Sequence, residues 1–436
     1  MKFIKIIFLL LILLIQLPSL AQDNQYSIIK GVNIIDGRNK VFKNMDLQLR
    51  GSKIISIYES KKVAYPDSVK VLDLTGKFLI PGLIDTHVHL GQLDIITSPD
   101  RARKEFRRWL YSGVTSVREM SGDARLIAYE KRLISINQIP GPDIYYSVNF
   151  GSPDMTKKDI RRKKASMGIG VENASWFQEA SETMNVPLSI ARAKGTGAQG
   201  IKMYAGIDAV VIKQLTTEAH KQGLKSWSHF TVFPDRPIEV VKAGVDVVSH
   251  VWGAFWQDPD IDPSIRVPFT HTSFKDARAA IFPADLSVLN ADDKEVSLLF
   301  DEMVRRKTIW DATYAVPSPK TRNLYKTYLI EASKKGVIIS TGTDRHHDLS
   351  EPFPSVYDEI IALVSDDILS NEQAIEAATY NGALAIGIEA NYGSIEEGKV
   401  ANMVVLNNNP LEDIKALKSI ILTIKNGMIY RRKDFR

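Results

Sequence analysis

Two histidines separated by one residue, His87 and His89, end the apolar segment that begins at Pro81. Side chains two residues apart in a strand point to the same face, so both imidazoles could bind one cation. The same pair is also compatible with two imidazoles that only make hydrogen bonds. Metal binding therefore depends on whether other segments supply further ligands.

Four more short apolar segments contain a titratable residue at or near their end: Lys202 in IKMY, His229 in WSH, His250 in VVSH and Asp344 in STGTD. Side chains at the carboxyl ends of barrel strands converge on one face of the barrel. Neutral imidazoles and carboxylates suit zinc and similar divalent ions. The chain has no cysteine. A metal site must therefore consist of nitrogen and oxygen ligands, and a cysteine nucleophile is excluded.

Strand candidates alternate with helical stretches through the middle of the chain, which is typical of a parallel sheet wrapped by helices. Eight such strands within residues 79–387 predict an α/β fold, a (β/α)8 TIM barrel. The eight candidates are Leu79–Asp85, Val114–Arg118, Asp143–Ser147, Gly200–Tyr204, Ser226–His229, Asp246–His250, Thr308–Tyr314 and Val337–Asp344. Two connections, about Val148–Gln199 and Val251–Lys307, are longer than a barrel needs and are expected to shape a substrate pocket.

Both ends of the chain are rich in short apolar segments separated by turn residues, which indicates antiparallel strands. Asn426-Gly427 is a strong two-residue hairpin signal. We expect residues 22–78 and 388–436 to build one small β-sandwich domain beside the barrel. A separate domain at each end is the alternative. The strand candidates are Tyr26–Ile35, Met45–Leu49, Ile54–Tyr58, Asn402–Leu406, Ile420–Lys425 and Met428–Tyr430.

The first 21 residues combine Lys2 and Lys5 with an apolar run from Ile6 to Leu17 and end in a small-residue pattern at Ala21. This arrangement predicts a signal peptide, residues 1–21, that is cleaved after Ala21. The mature protein is then exported, periplasmic or secreted, with no membrane association after cleavage. A retained membrane anchor is the alternative, although the apolar run is short for a spanning helix.

The overall composition is that of a globular protein, with 44% hydrophobic and 25% charged residues among 436. The formal net charge of +5 is spread along the chain rather than gathered in one basic tract. Nucleic-acid binding is therefore not expected. The expected partner is a small-molecule substrate, and the sequence leaves open whether the chain forms a homo-oligomer.

The order and spacing of the titratable residues, together with the sequence motifs around them, resemble those of the amidohydrolase superfamily. The segments that carry this resemblance are LIPGLIDTHVHL, GVTSVREMSGD, IKMYA and GSIEEGKVANMVVLNNNPLEDI. They look like the branch that includes imidazolonepropionase-like and metal-dependent prolidase-like members. The resemblance spans nearly all of the predicted mature chain and is weakest between Val251 and Lys307.

The resemblance implies two divalent metal ions, with zinc as the first choice. Lys202 would bridge them as a lysine carboxylate formed with carbon dioxide, because an ammonium group has only donors and cannot ligate a cation. The alternative is an ordinary salt bridge from Lys202, with Asp344 as a candidate partner, and a single metal ion. The implied ligands are His87, His89 and Asp344 for one ion, His229 and His250 for the other, and Lys202 between them.

Two ions close together would supply hydroxide at neutral pH and polarise a carbonyl group. Asp344 is then expected to take the proton of the nucleophile and pass it to the leaving amine. Tyr204 shares the inward face of Lys202, so its hydroxyl could bind the substrate carbonyl or the developing oxyanion. Packing inside the barrel is the alternative for Tyr204.

Six further residues, at three places in the sequence, are candidates for contact with substrate. Arg118 could receive a carboxylate through its planar guanidinium, or pair with Glu119 instead. Trp252, with Phe255 and Trp256, follows His250 and could line a pocket, or pack within the long connection. His346 follows Asp344 and could touch substrate, as could His347, or both could be exposed loop residues.

These features predict an enzyme that hydrolyses an amide or peptide-like C–N bond in a small substrate by means of metal-activated hydroxide. A dipeptide, a Xaa-Pro peptide or an N-acyl amino acid is the first choice. A cyclic amide or imidazolone hydrolase is the second. A catalytically silent metal-binding protein is an alternative of a different class.

Overall fold

The protein is described by a computed structural model that covers residues 26–61, 65–90, 98–259, 290–344 and 349–435. The predicted signal peptide, His346, His347 and much of the second long connection lie outside these described residues. The described part of the chain contains no helix that is both long and apolar enough to span a membrane.

The N-terminal strands begin a mixed sheet. These strands are β1 (Tyr26–Ile35), β2 (Val41–Arg50), β3 (Lys53–Glu59), β4 (Lys70–Asp73) and β5 (Phe78–Pro81). β2 pairs with β1 and β3 in antiparallel register, whereas β4 and β5 run parallel to β1.

The middle of the chain forms eight parallel strands in sequential neighbour order, and a ninth short strand pairs with the third of them. This arrangement confirms the predicted barrel. The strands are β6 (Leu83–Val88), β7 (Val114–Glu119), β8 (Asp143–Gly151), β9 (Phe177–Glu179, the additional strand), β10 (Gly200–Met203), β11 (Lys225–His229), β12 (Val247–Ser249), β13 (Ile309–Asp311) and β14 (Ile339–Ser340).

Helices connect the barrel strands and cover their outer face. They are α1 (Pro99–Tyr111), α2 (Ala124–Ser135), α3 (Pro153–Lys158), α4 (Ile160–Lys164), α5 (Val186–Gly195), α6 (Ala209–Lys221), α7 (Pro237–Lys242), α8 (Lys294–Arg306), α9 (Pro319–Lys335), α10 (Val356–Ser365), α11 (Asn371–Ala377) and α12 (Tyr380–Ile386). A capping box begins α11: the Ser370 hydroxyl accepts from the Gln373 amide, and the Gln373 side chain accepts from the Ser370 amide.

The C-terminal strands β15 (Met403–Leu406), β16 (Ile420–Lys425) and β17 (Met428–Arg431) join the N-terminal sheet through β5. The sheet order is β17-β16-β15-β5-β1-β2-β3, with β4 on β1. One buried cluster that includes Ile34, Leu47, Met403 and Leu422 forms the core of this sandwich-like domain. Both ends of the chain therefore contribute to a single small β domain, as the fold class predicts.

The predicted first barrel strand is divided between the two domains at Gly82. Residues before it pair with β15, and residues after it pair with β7. A Cβ atom on Gly82 would lie 2.2 Å from the Thr115 hydroxyl oxygen, so only glycine fits where the chain crosses between the sheets. The continuous apolar run from Leu79 concealed this division.

The barrel closes between its first and last strands, and the closure places the predicted site residues. The Thr86 amide donates to the Thr341 carbonyl at 2.9 Å, and the Asp344 amide donates to the His87 carbonyl at 2.8 Å. Because these bonds continue past the end of β14, Asp344 is held beside the end of β6.

Candidate metal centre

Three predicted ligands form a compact group at the carboxyl end of the barrel. One nitrogen from each of His87 and His89 and one carboxylate oxygen of Asp344 lie within 4.8 Å of one another. Asp344 Oδ1 is 2.9 Å from His89 Nε2 and 3.7 Å from His87 Nε2. Asp344 has a positive φ of 43°, a conformation that costs a non-glycine residue roughly 1–3 kcal/mol. Such strain is characteristic of functional sites.

Asp311 at the end of β13 fixes the orientation of His87. The His87 Nδ1–H donates to Asp311 Oδ2 at 2.6 Å, and both side chains are buried. A carboxylate can only accept here, so the proton lies on Nδ1 and the lone pair of Nε2 is directed at the site. This is the usual arrangement of a metal-binding histidine supported by a carboxylate.

His250 joins the group from the end of β12. Its Nδ1 lies 3.6 Å from Asp344 Oδ2 and 3.0 Å from the Thr313 hydroxyl. Trp252 stacks on the His250 ring, with centroids 4.4 Å apart and an angle of 10° between the planes. Like Asp344, His250 has a positive φ, here 82°. The stacked indole therefore restricts rotation of the imidazole.

His229 lies on the other side of His250, with ring centroids 4.6 Å apart. The Tyr204 ring packs on His229 at a centroid distance of 4.1 Å. The hydroxyl of Tyr204 accepts a hydrogen bond of 2.7 Å from Arg161, which α4 contributes. His229 and Tyr204 thus form the part of the site that faces the first long connection.

Lys202 occupies the buried centre between these groups, with 1% of its surface exposed. Its ammonium nitrogen donates to the Ser249 hydroxyl at 2.8 Å. Among the described residues, no carboxylate oxygen lies within the 4.0 Å expected of a salt bridge to it, so the alternative pairing with Asp344 is not formed. Burial lowers the pKa of Lys202 to about 7. A substantial fraction of neutral amine is therefore present near neutral pH.

The electrostatics of the cluster favour an ionised carboxylate and neutral imidazoles at His87, His229 and His250. Burial alone would lower the pKa of His89 too, but its hydrogen bond to Asp344 raises it. Burial, reinforced by the positive charge of Lys202, lowers the pKa of His229 well below its usual value. Burial likewise lowers the pKa of His250. Burial alone would raise the pKa of Asp344, but the neighbouring imidazoles hold it far below its usual range. A neutral imidazole and an ionised carboxylate are the forms that bind a divalent cation, and a cation at the site would displace any proton shared by His89 and Asp344.

A profile of the amidohydrolase family matches residues 78–429, which is most of the chain. The chain belongs to this family. The predicted superfamily is thereby confirmed. Ochratoxinase from Aspergillus niger is 24% identical to this amidohydrolase over 383 residues, which cover 81% of the chain and 75% of the relative.

Solved structures share the fold of this amidohydrolase. A Xaa-Pro dipeptidase with bound methionine aligns over 93% of this chain and 100% of its own, with a TM-score of 0.66 and 19% identity. The A. niger ochratoxinase structure aligns over 94% and 96%, with a TM-score of 0.68 and 20% identity. Membership of the amidohydrolase family makes the protein a hydrolase that acts on carbon–nitrogen bonds.

The residues of the amidohydrolase site fit the divalent ions on which enzymes of this family generally depend. His89 Nδ1 is buried and has no hydrogen-bond partner within the described ranges. A buried polar nitrogen without a partner is costly, and coordination of the ring at Nδ1 or reorientation toward a cation would remove that cost. The donors are nitrogen and oxygen only, as zinc and related ions accept.

The structure contradicts the prediction that Arg118 binds a substrate carboxylate. Its side chain is 0% exposed and donates to Asp311 Oδ2 at 3.0 Å, beneath the metal centre. The guanidinium also lies over the Trp227 ring. Arg118 does not pair with Glu119 either. Its guanidinium pairs instead with the Asp311 carboxylate, which also accepts from His87.

Phe255 and Trp256 pack in the buried core, which was the second of the two alternatives for these residues. Phe255 stacks on Tyr325, and Trp256 packs against Phe233. Of the three aromatic residues after His250, Trp252 alone contacts a predicted ligand in the described part of the chain. The prediction for His346 falls outside the described residues.

Sequence reasoning missed Asp311 and Arg161. Asp311 lies inside the apolar segment IWDATYA, where a carboxylate on a buried strand was a usable signal. Arg161 lies in the basic run KKDIRRKK, where no local pattern distinguishes it from the exposed lysines on either side. Its role depends on how the first long connection folds back over the barrel.

Proposed function

We propose that this amidohydrolase is exported and cleaves an amide or peptide-like C–N bond in a small substrate: a dipeptide, a Xaa-Pro peptide or an N-acyl amino acid. The observation that carries the proposal is the convergence of His87, His89 and Asp344 within 4.8 Å at the barrel mouth. The names of the similar proteins, a Xaa-Pro dipeptidase and ochratoxinase, support this choice of substrate class.

Two divalent ions, with zinc as the first choice, would supply a hydroxide nucleophile at neutral pH and polarise the scissile carbonyl. His87, His89 and Asp344 would hold one ion, and His229 and His250 the other. Lys202, as a carboxylate formed with carbon dioxide, would lie between them. Two observations support that modification. Lys202 is buried without a carboxylate partner in the described chain, and its lowered pKa leaves part of the amine neutral.

Asp344 is ionised at neutral pH, so it can accept the proton of the attacking nucleophile. It can then deliver that proton to the nitrogen of the leaving amine, because the strained backbone holds the carboxylate at the centre of the cluster. Proton transfer to this nitrogen is needed because an amide anion is a poor leaving group.

Tyr204 is the candidate donor to the oxygen of the scissile carbonyl. Its ring rests on His229, and its hydroxyl is held by Arg161 at 2.7 Å. A donor fixed in advance stabilises the charge that develops on this oxygen during attack. Trp252 remains a candidate for contact with the substrate beside His250.

The N-terminal segment supports export, since its charged start, apolar run and small-residue end are those of a cleaved signal. Expression of the full chain with its native N-terminus, followed by N-terminal sequencing of the purified protein, tests this part. We expect the sequence to begin at Gln22. A protein beginning at Met1 would contradict cleavage.

The activity is tested by metal analysis combined with a screen of dipeptides, Xaa-Pro peptides, N-acyl amino acids and cyclic amides. We expect bound divalent metal and hydrolysis of at least one of the first three classes. Activity should be lost on chelation and return when metal is added. Turnover of cyclic amides alone would replace the proposed substrate class, and the absence of bound metal would contradict the mechanism.

A further inference from the structure

Arg161 connects the first long connection of the barrel to the candidate metal centre. It lies in the five-residue helix α4, and its side chain is 25% exposed. Its Nη2 atom donates to the Tyr204 hydroxyl at 2.7 Å, and its guanidinium carbon lies 5.1 Å from the centroid of the Tyr204 ring. The helix therefore contacts the site through a directed hydrogen bond.

The chemistry of this bond determines what Tyr204 can do. A guanidinium carries only donors, so the Tyr204 oxygen must be the acceptor. The proton of the hydroxyl is then directed elsewhere, and no acceptor for it occurs among the described residues. A hydroxyl that accepts from a cation is also a stronger donor to a third group. Arg161 therefore prepares Tyr204 to donate.

Asp159 holds Arg161 in the required position and balances its charge. Its carboxylate accepts from Arg161 Nε at 3.0 Å and from Nη2 at 2.8 Å, and it also caps α4 by accepting from the Arg161 amide. Such a two-point pair fixes the plane of the guanidinium. Because Asp159 compensates the charge, the main effect of Arg161 on the site is a directed donor rather than a free positive charge.

We propose that Arg161 is a positioning residue that orients the Tyr204 hydroxyl toward the oxygen of the scissile bond and strengthens it as a donor. This inference rests on the proposed amide hydrolysis and extends it to a residue outside the barrel strands. The first long connection is then part of the catalytic apparatus, and not only a wall of the substrate pocket.

A double-mutant cycle between Arg161→Met and Tyr204→Phe tests the proposal on the best substrate of the wild-type enzyme. We expect Tyr204→Phe to lower kcat by about 10²-fold, the scale seen for loss of an oxyanion donor. Arg161→Met should lower kcat about 10-fold with little change in KM, because the lost interaction strengthens in the transition state. In the Tyr204→Phe background, Arg161→Met should have no further effect.

Two more variants separate positioning from general structural support. Arg161→Lys keeps a cationic donor and should recover part of the lost kcat, and it also serves if the methionine variant does not fold. Lys163→Met removes the same charge from an exposed site on the same helix and should leave kcat and KM unchanged.

The outcomes distinguish this proposal from the proposed function. If the wild-type enzyme is active but the two substitutions act additively, Arg161 does not act through Tyr204 and the proposal is wrong. A raised KM with unchanged kcat, retained in the Tyr204→Phe background, would make Arg161 a substrate-binding residue instead. A wild-type enzyme without amide hydrolase activity would overturn the proposed function, and this inference with it.

Discussion

His87 Nδ1 lies 2.6 Å from Asp311 Oδ2, and this buried pair determines which nitrogen of His87 faces the centre. Asp311 Oδ2 also accepts from Arg118 at 3.0 Å and from the Ser249 hydroxyl at 3.2 Å. The same Ser249 hydroxyl accepts from Lys202. One carboxylate oxygen thus connects the first histidine of the site to the central lysine through fixed hydrogen bonds.

Asp311→Asn should weaken metal binding by about 10- to 100-fold, the usual effect of removing a carboxylate behind a ligating histidine. Metal affinity is measured by competition with a chelator. The substitution also leaves Arg118 buried without its counter-charge, which should cost roughly 3–5 kcal/mol of stability. The double variant Arg118→Met/Asp311→Asn should recover part of that stability but not the affinity. Unchanged metal affinity in both variants would show that Asp311 only neutralises Arg118 and does not support metal binding through His87.

Asp344→Asn should lower kcat by about 10²- to 10⁴-fold, the range expected for loss of a general acid and base. An amide of the same size preserves the packing, so circular dichroism should show a folded protein. The measurement is steady-state turnover at saturating metal. Turnover equal to that of the wild-type enzyme would exclude Asp344 from proton transfer.

Lys202→Ala should reduce bound metal from about two ions to about one per chain, because the bridging ligand is lost. Metal content is measured by elemental analysis after dialysis. Labelling of the wild-type protein with ¹³C-bicarbonate should give a carbamate signal in the NMR spectrum, absent from the variant. Lys225→Ala is the matched control. Lys225 lies at the opposite end of the barrel, in β11, and pairs with Asp246, so its substitution should change neither the metal content nor the carbamate signal.

Glu359 should make the stability of the protein fall as the pH rises. Burial raises the pKa of this carboxyl group to about 8, although it accepts from the Tyr314 and Ala315 amides at 2.8 and 2.6 Å. The folded state then holds a proton that the unfolded state releases from about pH 4.5 upward. The contribution of Glu359 to the free energy of unfolding is therefore complete at low pH. It is lost between about pH 4.5 and 8, at up to ~1.4 kcal/mol per pH unit.

Denaturant unfolding of the wild-type protein and Glu359→Gln across this pH range measures the effect. The variant cannot ionise at this position, so its stability relative to the wild-type protein should increase with pH. At low pH the variant should be the less stable protein, because Glu359 accepts through both of its oxygens and the glutamine NH2 group cannot accept from a backbone amide. A constant difference between the two proteins at every pH would contradict the raised pKa.

The barrel and its ligand-bearing strands followed from local patterns. His87 and His89 are two positions apart, and other apolar segments end in a single titratable residue. Predicting that these side chains meet requires only strand geometry and strand order. The division at Gly82 could not be predicted, because it depends on the close approach of Thr115 from another strand. Arg118 was assigned wrongly for a similar reason. Its type indicated anion binding, but which anion it meets is decided by the position of Asp311.

The sequence by itself determined the fold class and the set of residues available for metal chemistry, because residue type and spacing fix strand faces and strand ends. The family followed from the resemblance of its motifs to the amidohydrolase superfamily. The tertiary structure decided how that set is supported. It placed Asp311 behind His87, left Lys202 without a carboxylate partner in the described chain, and brought Arg161 to Tyr204. Arg161 and Tyr204 are 43 positions apart in the sequence, and His87 and Asp311 are 224 positions apart. Local propensity carries no information about such pairs, since only the packing of distant segments brings them into contact.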